Sequence, residues 1–419
     1  MKTYLSIIIA ALVGEYLIRC LTRYFNLKAM ASDLPAEFDG FYDQEQYRKS
    51  QQYTRANTKF AYVSSSISLI VMLVFILMGG FNVLDIFVRS FELSPIPTGL
   101  IFFVILFLAS DWLSLPFSLY NTFVIEERFG FNQTTIQTFI LDKLKTYFLS
   151  AVLGFVIMGS ILYFFDKAAE LAWLYAWLLV SIFIVAAPPI FTTFISPLFN
   201  KFTPLPEGEL KDAIHQYAQK VAFPLTDLFI MDGSKRSSHS NAYFSGFGRK
   251  KRIVLFDTLI EQHSVDELVA IIAHEVGHYK KKHIFKGMVI SILHTGLLFY
   301  LLSIFIDNQS LFQAFGMDKV DHVRIYAGFV FFGVLYSPIE FVLSVAMHYL
   351  SRKHEYQADA YAVETLGLAD SLILGLKKLS VANLGNLTPH PVNVFLNYSH
   401  PPVLERISAM RDVPIVERW

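Results

Sequence analysis

Residues 264 to 283 read Ser264-VDELVAIIAHEVGHYKKKH, and the centre of that stretch is His274-Glu275-Val276-Gly277-His278. On a helix, positions i and i+4 differ by about 40° of rotation, so both imidazoles project from one face and can share a single Zn²⁺. Glu275 lies beside them, placed to take a proton from an attacking water rather than to bind metal. The preceding DELVAIIA is apolar at helical spacing, which supplies the helix this arrangement requires. A catalytic zinc needs three protein ligands and an open fourth position, so a further ligand must come from elsewhere. The stretch Ser351-Arg-Lys-His-Glu-Tyr-Gln-Ala-Asp359 offers one. Glu355 and Asp359 lie one turn apart on what reads as the helix HEYQADAYAVETL. Glu355 can complete a His₂Glu site, and Asp359 can hydrogen-bond a ligand histidine from outside. His354 is a rival ligand, although it points about 100° away from Glu355. His283 and His263 are further candidates, the run YKKKH reading as a polar helix end.

The elements that must carry these residues are mostly apolar. The 419 residues are 54% hydrophobic and only 17% charged, and Phe alone numbers 40. Soluble domains carry about 25% charged residues. This apolar content excludes a disordered chain. Thirty-five basic against 35 acidic side chains leave no electrostatic footprint for nucleic acid. The single cysteine, Cys20, excludes a disulfide framework.

About 20 apolar helical residues span a bilayer. Seven stretches qualify, at about 3–22, 61–83, 99–120, 146–165, 171–195, 285–306 and 325–348. The first lacks an A-x-A-like cleavage site, and Cys20 follows Arg19, so it reads as a retained helix and not a signal peptide. Seven spans put the termini on opposite sides. One side collects five basic residues, Lys2, Arg89, Lys167, Lys319 and Arg324, and the other collects the remaining 30 of 35. Basic residues favour the cytoplasm, so the N-terminus is expected outside and both halves of the zinc site inside. Glu15, Asp111 and Glu340 lie within spans, and Pro116, Pro188, Pro189 and Pro338 interrupt others. Intramembrane carboxylates and freed backbone groups both need shelter, which hints at a polar interior. In the soluble portion, GELKDAIHQYAQKVAF (from Gly208) has helical periodicity, while DLFIMDG (from Asp227) and KRIVLFD (from Lys251) read as strands. The expected domains are five N-terminal spans in 1–195, a first peptidase segment in 196–284, two spans in 285–348 and a second peptidase segment in 349–419.

HEVGH, followed after one hydrophobic hairpin by SRKHEYQAD, resembles the integral-membrane zinc metallopeptidases typified by the type I CAAX prenyl protease. The resemblance extends to KSQQYTRANTKF (from Lys49), FVIEERFGFNQTT (from Phe123), DGSKRSSHSNAYFSGFGRKKRIVLFDTLI (from Asp232) and NYSHPPVLERI (from Asn397), covering about residues 35 to 411. It implies an α-helical polytopic membrane protein, with seven helices enclosing a water-filled chamber. A gluzincin-like peptidase domain of helices and a small sheet would lie on the cytoplasmic side. It also implies one Zn²⁺ per chain, held by His274, His278 and Glu355, with Glu275 as general base and Asp359 supporting. Asn241 and His400 match groups that hold the substrate backbone or the developing oxyanion, and Arg406 matches a supporting arginine. His400 precedes Pro401-Pro402, which favours an extended turn over a helix. The segment SNAYFSGF has strand character and could pair with an extended substrate.

The implied substrate is a peptide or protein C-terminal segment, prenylated or similar, with the lipid bilayer as the other partner and no nucleic acid. No residue pattern addresses the oligomeric state. The connection from Asp257 to His274 is short and the chain ends Val-Glu-Arg-Trp, which resembles a bacterial member and a bacterial inner membrane; a eukaryotic member would sit in the ER membrane. The alternative function is a membrane-protein quality-control metalloprotease of broad specificity. A transporter is disfavoured by the zinc motif, and a catalytically dead scaffold by the intact Glu275.

Overall fold

The computed structural model describes residues 2–246, 251–317, 324–367 and 369–414. Lys319 and residues 247–250 of the segment that begins at Asp232 lie outside the described residues, as does the terminal 415–419. Among the described residues, seven helices are long and apolar enough to cross a membrane: Thr3–Ala29, Gln44–Leu77, Pro95–Phe129, Ile136–Lys167, Ala169–Phe199, His283–Phe305 and Ile325–Leu366. Their backbones are satisfied internally, as lipid demands. Several starts are capped by the local sequence: the Asp43 carboxylate accepts from the Gln46 amide and the Thr135 hydroxyl from the Thr138 amide.

The seven form a closed ring. The first packs on the second, the second on the lower end of the third, and so on through the seventh, which returns to the first. Each buries at most 17% of its most apolar stretch within the protein, which leaves most of the apolar surface for lipid. One end is plugged by an aromatic core that includes Phe81, Phe102, Phe312, Phe315 and Phe331, with Phe315 stacked on Phe331 at 4.0 Å. The intramembrane carboxylates are paired. Asp111 accepts from Lys143 and Tyr147 of the next span, Glu340 faces His294 of the sixth at 3.2 Å, and Glu15 accepts from Arg19 one turn on. Two of these three pairs cross between helices.

The ends differ from what hydropathy alone indicates. Most long helices run past their apolar stretch into the polar layer, because helical hydrogen bonding does not stop where the lipid does. Pro116 is followed by a π-helical turn at Asn121–Glu126, and Pro188-Pro189 by another at Phe191–Ile195. A proline removes one i→i−4 bond, and the wider turn re-registers the chain beyond it. The largest difference concerns the seventh span. The sequence separates a span at 325–348 from a soluble helix beginning at His354. The structure makes them one helix of 42 residues, Ile325–Leu366, about 63 Å long. Twice the thickness of the hydrocarbon core, it carries Glu355 and Asp359 rigidly out of the bilayer.

The peptidase layer contains a four-stranded sheet of β1 (Phe202–Pro204), β2 (Leu225–Met231), β3 (Ala242–Ser245) and β4 (Lys251–Phe256), in the order β1-β2-β4-β3. β2 and β4 run parallel, and β3 lies antiparallel on β4 at the edge. The three strands expected from the sequence are thus present, and SNAYFSGF supplies an edge. Helices Glu209–Lys220 and Val265–Lys280 close over the sheet around a core that includes Ile214, Ile253, Leu255, Leu259 and Ala270.

Candidate active site

Helix Val265–Lys280 begins with a capping box. Ser264 Oγ accepts from the Glu267 amide, and the Glu267 carboxylate accepts from the Ser264 amide. Its apolar residues Leu268 to Ala273 are all buried, which fixes the rotation of the helix and aims His274 and His278 at the seventh long helix. Gly277 sets the distance. A Cβ there would sit 3.0 Å from the Ala358 backbone, so any larger residue would push the two helices apart by a few tenths of an ångström. Ala358 lies between Glu355 and Asp359, and the close approach brings the two motifs together.

Ligand atoms of His274, His278 and Glu355 all lie within 4.8 Å of one another. His274 Nε2 and His278 Nε2 are 3.1 Å apart, and they lie 3.5 and 3.3 Å from the Glu355 carboxylate oxygens. Glu355 is 4% exposed, and its Oε2 is buried without a hydrogen-bond partner among the described residues. An orphaned carboxylate oxygen facing two imidazole nitrogens fits a divalent cation, because a buried anion otherwise needs a donor. Two nitrogens and one carboxylate are a zinc donor set.

The surroundings organise these groups. Asp359 Oδ1 lies 2.8 Å from His274 Nδ1, which fixes the proton there and turns the Nε2 lone pair toward the cluster. Arg406 donates to both Asp359 oxygens, from Nε at 2.8 Å and Nη2 at 2.6 Å, and its Nη1 is 3.7 Å from Glu355. Burial disfavours a charged His274, but its hydrogen bond to Asp359 and the nearby Glu355 carboxylate outweigh that and push the imidazole up to about 9. A metal taking Nε2 must displace that proton. Burial raises the Glu275 carboxyl above its ordinary value, although His274 and His278 pull the other way. A more basic carboxylate is a better proton acceptor near neutral pH.

Glu275, His274 and Glu355 open onto a cavity of about 580 Å³ that is also lined by Asn241, His400 and Arg406. The eight residues singled out in the sequence are therefore gathered at one place. His400 Nε2 lies 3.5 Å from Glu355 Oε1, and its Nδ1 contacts Ser399 Oγ at 3.0 Å. Asn241 leads into β3, with its side-chain oxygen accepting from the Ala242 amide. Of the rival histidines, His263 is bonded to the carbonyls of Leu259 and Gly375, away from the cluster. His354 stacks on His283. Among the residues the sequence does not flag is Arg352. Its Nη1 donates to the carbonyls of Val394 and Tyr398, which holds the turn bearing His400 against the seventh helix. Its only sequence signal is that it lies one turn before Glu355.

Comparison with known proteins agrees with this arrangement across the chain. Residues 23–201 match the family described as CAAX prenyl protease N-terminal, five membrane helices, and residues 204–413 match Peptidase family M48. The chain is 39% identical over 409 residues to CAAX prenyl protease 1 of Saccharomyces cerevisiae, covering 91% of this chain and 89% of that protein. It is 36% identical to the Homo sapiens CAAX prenyl protease 1 homolog, covering 90% and 88%. The crystal structure of S. mikatae Ste24p superposes with a TM-score of 0.92 at 36% identity, covering 97% of this chain and 99% of that one. The chain is a multi-pass membrane metallopeptidase and belongs to the M48 CAAX prenyl protease family.

Proposed function

We propose that the protein is a zinc endopeptidase that hydrolyses peptide bonds near the C-terminus of prenylated or similar peptides. The carrying observation is the clustering of His274, His278 and Glu355 beside a cavity lined by His274, Glu355 and Glu275. Its relatives matched end to end are CAAX prenyl proteases, which favours this reading over broad quality-control proteolysis. In this reading one Zn²⁺ per chain is held by His274, His278 and Glu355, with Asp359 and Arg406 as supports. Bound there, the metal would polarise the scissile carbonyl and make the attacking water more acidic.

The rest falls to the chain. Glu275 accepts the proton of the attacking water and returns it to the leaving amine. His400, exposed in the cavity, donates a hydrogen bond to the developing oxyanion, which is worth about 2–4 kcal/mol for a well-placed donor. The edge strand β3, entered through Asn241, pairs with the extended substrate backbone. Residues 1–195 and 285–348 serve as the membrane chamber, and 196–284 and 349–419 as the peptidase. The excess of basic residues on one side assigns the site to the cytoplasmic face. The short connection from Asp257 to His274 supports a bacterial inner membrane.

The test is cleavage of a farnesylated CAAX peptide beside its unprenylated counterpart by protein in detergent, each with and without a chelator. Chelator-sensitive cleavage of the farnesylated peptide is expected, with activity restored by added zinc. Cleavage that survives complete removal of metal would overturn the mechanism, and equal cleavage of both peptides would overturn the substrate class.

A further inference from the structure

His274 has an outer partner in Asp359, and a metal ligand on the same helix face ordinarily needs one too. Around His278, the structure shows a different group in that position. His278 Nδ1 faces His283 Nδ1 at 3.1 Å, and His283 Nε2 faces Gln357 Oε1 at 2.9 Å. His283 is 5% exposed, and its ring lies flat on His354 at 4.0 Å and 10°.

Two facing ring nitrogens can share only one proton. The Gln357 amide oxygen accepts, so His283 carries its proton on Nε2 and offers the Nδ1 lone pair. His278 must then carry its proton on Nδ1, which leaves its Nε2 lone pair directed at His274 and Glu355. The three side chains form one consistent donor chain, His278 to His283 to Gln357, ending on the same long helix that carries Asp359 and Glu355.

The backbone is bent to make this possible. Lys282 sits at φ 60°, in the left-handed region that non-glycine residues seldom occupy. That turn separates the HExxH helix from the sixth long helix and folds His283 back onto His278, five residues earlier. Strained backbone of this kind persists where the surrounding structure over-determines it.

We propose that His283 is a positioning residue of the metal centre, fixing the tautomer and ring orientation of His278 as Asp359 does for His274. The proposal rests on His278 being a metal ligand. It is tested by zinc affinity, measured by competition with a chromophoric chelator on the purified full chain in detergent. His283→Phe keeps the ring stacked on His354 but has no acceptor for the His278 Nδ1–H. It should weaken zinc binding about 10–100-fold and alter the visible spectrum of the cobalt-substituted protein. His283→Asn places an amide oxygen near the lost Nδ1 and should restore most of the affinity. Gln357→Leu, one bond further out and removed from the ring stack, should weaken zinc less than His283→Phe. Unchanged affinity in His283→Phe, or a His283→Asn variant as weak as His283→Phe, would overturn the positioning role. A wild-type protein that binds no zinc would instead refute the metal centre itself.

Discussion

Arg406→Met is the perturbation whose size follows most directly from the structure. Arg406 is 8% exposed and anchors two carboxylates on successive turns of one helix. Methionine has a comparable unbranched length, so the slot stays filled while the guanidinium is lost. The variant forfeits the bonds of 2.8 and 2.6 Å to Asp359 and the 3.7 Å attraction to Glu355. Removing one partner of a buried ion pair costs about 3–5 kcal/mol, because the charge left behind is desolvated and unpaired. How much is felt depends on the metal. Without metal, Glu355 and Asp359 are balanced by Arg406 and by His274, whose imidazole is pushed up to about 9. Arg406→Met leaves that group one negative charge in excess. With a divalent ion held and His274 neutral, the same group without Arg406 is balanced. The metal-free variant should therefore lose the full ~3–5 kcal/mol and the loaded variant about half of it. Thermal unfolding in detergent, followed by tryptophan fluorescence on metal-stripped and zinc-loaded samples, reads the difference directly. Zinc should raise the midpoint more in the variant than in the wild type. Equal losses in the two forms, or none in the metal-free form, would refute the charge argument and reduce Arg406 to packing.

Three further outcomes are expected. Glu275→Gln should lower kcat by about 10²–10⁴ while zinc stoichiometry, measured by elemental analysis, stays at that of the wild type; full activity would remove Glu275 from the mechanism. His400→Ala should lower kcat by about 10²–10³ with KM and zinc content little changed, and a loss confined to KM would make His400 a binding residue only. Glu37 lies between the first two spans and joins them to the peptidase layer through Arg411, at 2.7 Å, and Lys377, at 2.5 Å. Its hydrogen bonds to Arg411 and Lys377, working against burial, lower its carboxyl from 4.5 to about 2. A depressed carboxylate stabilises fully above its unfolded value and loses that contribution as pH falls through its folded one. Glu37→Gln should therefore cost ~1–2 kcal/mol near pH 7, discounted for the exposed Arg411, and the cost should shrink as pH falls from about 4.5 to about 2. A deficit that does not change across that window would rule out the ion pair as its source.

The parts of this site that could be read from the sequence are the parts governed by local geometry. His274, Glu275 and His278 announce themselves because helical spacing alone puts two imidazoles on one face. Glu355 and Asp359 follow the same rule, although only the identity of the first motif makes the second meaningful. The seven spans are equally visible, since a 20-residue apolar stretch is a local property. Their closure into a ring is not, because it depends on which helix touches which. The lower ends of the third and fifth spans escape for a local but weak reason: a proline signals a disturbance without saying that a π-helical turn will absorb it.

The remaining features depend on contacts between segments far apart in the chain. Gly277 looks like an arbitrary filler of the HExxH motif until Ala358 is found 3.0 Å from where its Cβ would be. His283 reads as the polar end of a helix, because nothing in YKKKH reveals that Lys282 will adopt a left-handed conformation and bring His283 onto His278. Arg352 reads as one cation in a basic stretch, yet it holds the Val394 and Tyr398 carbonyls and through them the His400 turn. In each case the residue acts by fixing the distance or orientation of another. Motif spacing names the groups that could do chemistry. The continuous 42-residue seventh helix and the residues packed against it decide whether those groups meet. A shift of one turn along that helix would move Glu355 by about 5.4 Å, further than the whole ligand cluster is wide.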